Sequence, residues 1–119
     1  MPSATFEPGT LVVVPFPFTD SATTKRRPAV VLSSAAFNST NGHVILAMIT
    51  TAKHSSWTGD MPIRDWKKCG LPQPCIVRPK VFTLDLRFVE RALGKLTPRD
   101  AIAFRSVIND TVMNHWSGN

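Results

Sequence analysis

Residues 10–18 read TLVVVPFPF. The first five of them form an apolar, largely β-branched run, which favours a β-strand. Pro15 and Pro17 then remove two backbone N–H donors, and this confines the following segment to a strand edge or a loop. Residues 19–26 are mostly polar and predict a loop. The first predicted element is therefore a short strand that ends at prolines.

The same pattern recurs along the chain, where short apolar runs alternate with proline, glycine and polar residues. The runs that predict strands are residues 29–32 (AVVL), 43–49 (HVILAMI), 59–63, 75–77 and 80–83. The segments that predict turns or loops are residues 38–42, 50–57 and 69–74. The pattern is typical of a small, mainly β barrel, with residues 75–77 and 80–83 as its closing strands.

The C-terminal part of the sequence changes character and predicts a helix. Thr97 is a suitable N-cap, Pro98 suits the first helical position, and Asp100 lies near the positive end of the helix dipole. The apolar residues that follow recur at helical spacing, namely Ala101, Phe104, Ile108, Val112 and His115 or Trp116. The sequence therefore predicts one long amphipathic helix packed on the barrel.

Length and composition bound the class of protein. The chain has 119 residues, which suits one domain over residues 1–119. Fourteen Lys and Arg against eight Asp and Glu give a net charge of +6, which favours a polyanionic partner such as nucleic acid. With neither a signal-peptide pattern nor a membrane-length apolar run, we expect a cytoplasmic protein without a membrane partner.

The residues that could hold a metal are scattered along the sequence. His43, His54 and His115 lie far apart, and the two cysteines, Cys69 and Cys75, have no further ligands at a zinc-site spacing. We therefore expect no metal and no cofactor, with both cysteines as free thiols.

The positive charge is concentrated in two stretches that contain no carboxylate. These lie between Asp20 and Asp60 and between Asp65 and Asp85. If the loops of the first stretch meet at one end of the barrel, their cations form one basic groove with Trp57 or Trp66. Such a groove suits single-stranded RNA, whose phosphates attract cations and whose bases stack on aromatic rings. The alternative is a set of scattered surface cations with buried tryptophans.

Five motifs in order resemble the MazF/PemK family of toxin–antitoxin ribonucleases. They are TLVVVPFPFTD after Gly9, KRRPAVVLS at 25–33, ILAMITTAK at 45–53, VRPKVFTLD at 77–85 and LGKL at 93–96. The resemblance implies an SH3-like β-barrel with a C-terminal α-helix, a homodimer, and metal-free cleavage of single-stranded RNA to a 2′,3′-cyclic phosphate and a 5′-hydroxyl. It also implies a cognate antitoxin with an acidic, disordered segment, and DNA binding by the toxin–antitoxin complex.

The resemblance also implies which residues carry the activity. The family's catalytic arginine, before the proline of the first Arg-Pro motif, falls on Arg27. Its catalytic threonine falls on Thr50, with Thr51 as the second candidate, and a further phosphate-contacting or basic arginine falls on Arg78. The residues predicted to bind RNA around them are Lys25, Arg26, Thr51, Lys53, His54 and Lys80. Residues 21–25 lack the glutamate that family members often carry there.

Two other functions remain compatible with the same fold. One is a non-catalytic toxin that binds a protein target, as the gyrase-inhibiting CcdB toxins do. The other is a catalytically silent RNA-binding barrel. The Arg27 and Thr50 pair favours the nuclease, because neither alternative needs an arginine and a hydroxyl at those positions.

Overall fold

The computed structural model describes residues 6–16 and 25–117. In this part of the chain, six strands form one antiparallel sheet in the order β4-β5-β3-β2-β1-β6. The strands are β1 (Thr10–Phe16), β2 (Lys25–Val31), β3 (His43–Thr51), β4 (Met61–Pro62), β5 (Cys75–Asp85) and β6 (Arg91–Lys95). The sheet curls into a half-barrel and is followed by a C-terminal helix, α2 (Pro98–Ile108). The predicted fold class is therefore confirmed.

Alternating side chains give the sheet two apolar faces. On one face, Val30 and Ile49 belong to a cluster that includes Phe104 of α2, so this face is covered by the helix. On the other face, Val14, Ala29 and their neighbours form a second cluster, in which the rings of Phe16 and Phe82 lie 5.0 Å apart. We call these the helix face and the open face. The long apolar runs of β1 and β3 follow from burial on both sides.

The predicted turn at residues 38–42 is wrong, because a short helix occupies most of it. This helix, α1 (Ala35–Asn41), starts where the Ser34 side chain accepts a hydrogen bond from Phe37 N. It ends at Gly42, whose φ of 62° suits glycine. Asn38 is fully buried and its amide donates to Phe6 O, so a polar residue anchors the helix. The sequence pattern indicated only the C-terminal end of this helix, which it predicted as a turn.

Several strand boundaries also differ from the sequence prediction. Lys25–Arg27 belong to β2 rather than to a loop, while residues 19–24 of the predicted loop lie outside the described residues. Residues 75–77 and 80–83 are parts of one strand, β5, because its register against β3 jumps from Val81 to Arg78 across Pro79. Proline cannot donate to the ladder, so a bulge forms there.

Strand β6 was not predicted, and it pairs with β1 at the sheet edge. The segment between β4 and β5 packs tightly against β6. A Cβ at Gly70 would lie 2.6 Å from Leu93 O, and one at Gly94 would lie 2.5 Å from Cys69 O. Residues 80–83 therefore do not close the barrel as predicted. On the β6 side of the sheet, the segment that precedes β5 contacts β6 through close backbone approaches at Gly70 and Gly94.

The C-terminal helix is shorter than predicted. Helix α2 begins after Thr97 as expected, but Asn109–Met113 form a π-helical turn. Phe104 is buried, whereas Val112 and Trp116 are 41% and 73% exposed, so the predicted apolar face ends near Ile108. No helix among the described residues is long and apolar enough to span a membrane.

Candidate functional site

The candidate site lies where β2 and β3 separate. The ladder between these strands ends at the pair Ala29 and Met48, next to Pro28, which has no N–H to donate. Extending the register by two residues places Arg27 opposite Thr50. Both side chains lie on the open face, because each is two residues from a side chain that packs against the open-face cluster. On this extended register, the two predicted residues share one face at the ends of neighbouring strands.

Two buried side-chain polar atoms near the ends of β2 and β3 have no protein partner. Within the described residues, these are Arg27 Nε and Thr51 Oγ1. Thr50 is 7% exposed and lies at the same end of β3. A buried guanidinium N–H without a partner is costly, and an anionic ligand would supply the missing hydrogen bond.

Arg78 joins the site from the other side of β3. It pairs with Met48 and therefore shares the open face with Thr50. Its guanidinium binds the Asp60 carboxylate at two points, Nε to Oδ1 and Nη2 to Oδ2, both at 2.9 Å. Nη2 also donates to His54 O at 3.1 Å. The bulge at Pro79 thus connects Arg78 to the loop that follows Thr51.

Asp60 organises this loop from within. Its side chain is 1% exposed, and Oδ2 accepts from the backbone N–H groups of Ser56 and Trp57 at 2.9 Å each. The hydrogen bond from Arg78, helped by these two, holds the pKa of Asp60 well below its usual range. The same pair raises the pKa of Arg78. Arg78 therefore remains a cation at neutral pH and is unsuited to act as a base.

The predicted RNA-binding residues fall into two groups. Lys25, Lys53 and His54 are exposed, and Lys80 lies in the β5 bulge. Lys25 alternates onto the face of Arg27. Arg26 and Thr51 alternate onto the helix face instead, and the structure does not bring their side chains to Arg27 and Thr50.

Sequence reasoning missed two carboxylates near the site. Glu90 pairs with Arg26, which is the neighbour of Arg27, by accepting from its Nε at 2.5 Å, and Asp60 pairs with Arg78. Glu90 contacts Arg26 rather than Arg27, so it does not replace the glutamate that residues 21–25 lack. The stretch between Asp20 and Asp60 contains cations but no carboxylate, which indicated that Asp60 could pair with one of them. Its arginine partner lies 18 positions away in the sequence.

No group of three or more His, Cys, Asp or Glu in the described ranges could hold a metal ion. Cys69 and Cys75 are free and buried, and burial raises the pKa of both thiols. Buried thiols of this kind are poor nucleophiles. The two thiols are therefore not candidates for the chemistry of the site.

Solved structures with a similar fold include endoribonuclease and MazF toxins. An endoribonuclease from a mycobacterial species, in complex with its cognate antitoxin, matches 97% of this chain and 100% of its own at a TM-score of 0.74 and 14% identity. The MazE-MazF complex from Deinococcus radiodurans contains a chain that matches 93% of this chain over 98% of its own length, at a TM-score of 0.71 and 20% identity. The Mycobacterium tuberculosis toxin MazF-mt6 matches 90% of this chain over 99% of its own length, at a TM-score of 0.71 and 20% identity. At these identities the likeness shows the fold.

The family follows from the sequence itself. A family model described as the PemK-like, MazF-like toxin of type II toxin–antitoxin systems matches residues 7–112. The chain belongs to this family, and the resemblance noted from its motifs is confirmed. A comparison with curated protein sequences gave no significant match.

Proposed function

We propose that this toxin is a sequence-selective, metal-independent endoribonuclease that cleaves single-stranded RNA. The observation that supports this most is Arg27 Nε, which is buried and unpartnered at the end of β2, on the face that Thr50 shares when the register of β2 against β3 is extended. Neither a protein-binding toxin nor a silent RNA-binding barrel requires this arrangement. The mycobacterial relative described as an endoribonuclease has the same fold and supports the proposal.

In the proposed reaction, the 2′-hydroxyl of the RNA loses its proton to solvent and attacks the adjacent phosphorus, and the 5′-oxygen of the next nucleotide leaves and takes up a proton from solvent. The products are a 2′,3′-cyclic phosphate and a 5′-hydroxyl. Negative charge grows on the nonbridging oxygens in the transition state, where a guanidinium stabilises it most. Arg27 supplies that charge, and the Thr50 hydroxyl donates a hydrogen bond to the same phosphate.

Arg78 adds positive charge beside the scissile phosphate and holds the loop after Thr51. Because Asp60 occupies its Nε and Nη2, Arg78 contacts RNA through its remaining Nη1. Lys25, Lys53, His54 and Lys80 contact the flanking nucleotides. Arg26 and Thr51 lie on the helix face, so we place them at the edge of the proposed RNA-binding surface.

The partners of the proposed toxin are a second copy of the chain and a cognate antitoxin. Structures of family members with MazE or another cognate antitoxin support the second of these. An acidic segment, disordered until it binds, would suit a protein with a net charge of +6. It would compete with RNA for the same cations in the cytoplasm.

Metal independence tests the proposal directly. We expect cleavage of a single-stranded RNA to continue unchanged in excess EDTA, because the described residues offer guanidinium and hydroxyl groups rather than a metal cluster. Heat-denatured protein is the control for a contaminating ribonuclease. Loss of cleavage in EDTA that only a divalent ion restores would contradict the mechanism.

The salt dependence of binding tests the cationic groove. We expect the affinity for a noncleavable oligonucleotide to fall steeply with salt, with a log–log slope of about −0.7 for each phosphate neutralised. The cations proposed to contact RNA are Lys25, Arg26, Arg27, Lys53, Arg78 and Lys80. Filter binding or fluorescence anisotropy at several salt concentrations measures the slope. A nearly flat response would make these residues ordinary surface cations.

A further inference from the structure

Trp57 presents an exposed ring directly beside the proposed site. Its residue is 45% exposed, and Arg78 Cζ lies 4.9 Å from the ring centroid. Arg78 covers one side of the ring, so the exposed area belongs to its other side and edge. A large aromatic ring left open to solvent next to a cationic site has the form of a stacking platform.

The other two tryptophans lack this arrangement. Trp66 is only partly buried but packs against the helix-face cluster, with Lys67 Nζ 5.3 Å from its ring. Trp116 is 73% exposed, but it follows the π-helical turn at the C-terminal end. Of the three, Trp57 alone contacts an arginine that shares the open face with Arg27 and Thr50.

A cleft of about 690 Å³ opens beside Trp57. One wall is the loop of residues 56–62, and the other includes Pro79, Val107 and Asp110. Asp110 is exposed, and its negative charge disfavours a phosphate in the cleft. The cleft therefore suits an uncharged, flat group more than the RNA backbone.

We propose that Trp57 stacks with one unpaired base of the RNA substrate, on a nucleotide that flanks the cleavage position, and thereby contributes to the choice of cleavage site. This inference rests on the proposed ribonuclease function and names the residue that holds a base. Asp60 is the positioning residue. It binds the backbone N–H of Trp57 and, through both of its oxygens, the guanidinium against which the ring lies.

The test uses 2′-O-methyl oligonucleotides, which bind but cannot be cleaved, with one abasic position moved along the strand. For the wild type, one abasic position should weaken binding about 5- to 100-fold, the loss expected when one stacked base is removed. In Trp57→Ala, the intact oligonucleotide should bind that much more weakly, and the same abasic position should have no further effect. Trp57→Phe should retain most of the affinity.

Trp116→Ala is the matched control, since it removes an exposed tryptophan away from the site, and it should bind like the wild type. Quenching of Trp57 fluorescence by the intact oligonucleotide, measured in a Trp66→Phe, Trp116→Phe background, tests the contact without altering Trp57.

Additive losses, in which the abasic position weakens Trp57→Ala as much as the wild type, would overturn the inference. Unchanged binding by Trp57→Ala would also overturn it and would indicate that the exposed ring contacts another protein rather than RNA. In either case, wild-type cleavage of RNA would leave the ribonuclease proposal standing. Failure of the wild type both to bind and to cleave RNA would overturn the two together.

Discussion

Arg27→Ala should lower the single-turnover rate of RNA cleavage by about 10²-fold or more, with a much smaller loss of RNA affinity. The reason is that Arg27 interacts with charge that develops only in the transition state, and loss of one such donor costs about 3 kcal/mol. Cleavage under single-turnover conditions and affinity for a noncleavable oligonucleotide are measured side by side. Thr50→Val, which keeps the branched shape but removes the hydroxyl, should lower the rate in the same way.

Arg105→Ala is the control for the change of net charge. Arg105 is exposed on α2, which covers the helix face rather than the open face. This variant should cleave RNA at the wild-type rate. Thermal unfolding of each variant separates a catalytic defect from a folding defect. Normal cleavage by a folded Arg27→Ala would remove the activity from this site.

Asp60→Ala should destabilise the protein by about 3 kcal/mol, at the lower end of the cost of removing one partner from a buried ion pair. The variant leaves Arg78, which is 11% exposed, without its carboxylate and frees the N–H groups of Ser56 and Trp57. For a chain of this length, the melting temperature should fall by roughly 10 °C.

The acid dependence of this effect follows from the direction of the Asp60 pKa. Because the folded pKa is lowered, the contribution of Asp60 is fully present above its unfolded pKa of about 3.9 and is lost as the pH falls through the folded value. The stability difference between wild type and Asp60→Ala should therefore narrow below about pH 4.

Glu90→Ala is the matched control for the ion pair, since the side chains of Arg26 and Glu90 are 68% and 36% exposed. Removal of a partner from such a surface pair should change the stability by less than about 1 kcal/mol. An Asp60→Ala protein as stable as Glu90→Ala would show that the buried pair does not hold the loop.

Much of the fold was predictable from local signals. The apolar runs of β1 and β3 and the cap at Thr97 each act over a few residues, and each identified a real element. Pro15 did not end the first strand as predicted, because β1 continues to Phe16. Helix α1 was missed because its seven residues are too few for a helical period, and because its buried anchor, Asn38, is polar. Strand β6 was missed because Gly94 interrupts its pattern, and that glycine is required by the close approach of Cys69 O.

The site was predictable in part. Arg27 and Thr50 were predicted from motifs, and their placement on one face depends on the register of β2 against β3, which local sequence patterns do not determine. The pairing of Arg78 with Asp60 depends on a bulge that skips two residues at Pro79 and Lys80. The side of the sheet taken by Arg26 or Thr51 depends on where β2 and β3 begin and end, since a shift of one residue reverses it.

The most direct test of the central proposal is single-turnover cleavage of an end-labelled RNA beside the same RNA with one 2′-deoxynucleotide at the cleavage position. We expect the RNA to be cut to a 2′,3′-cyclic phosphate and a 5′-hydroxyl, and the deoxy-substituted strand to stay intact at that position, because its nucleophile is missing. Equal cleavage of both strands, or products with a 5′-phosphate, would contradict a reaction driven by the RNA's own 2′-hydroxyl at Arg27 and Thr50.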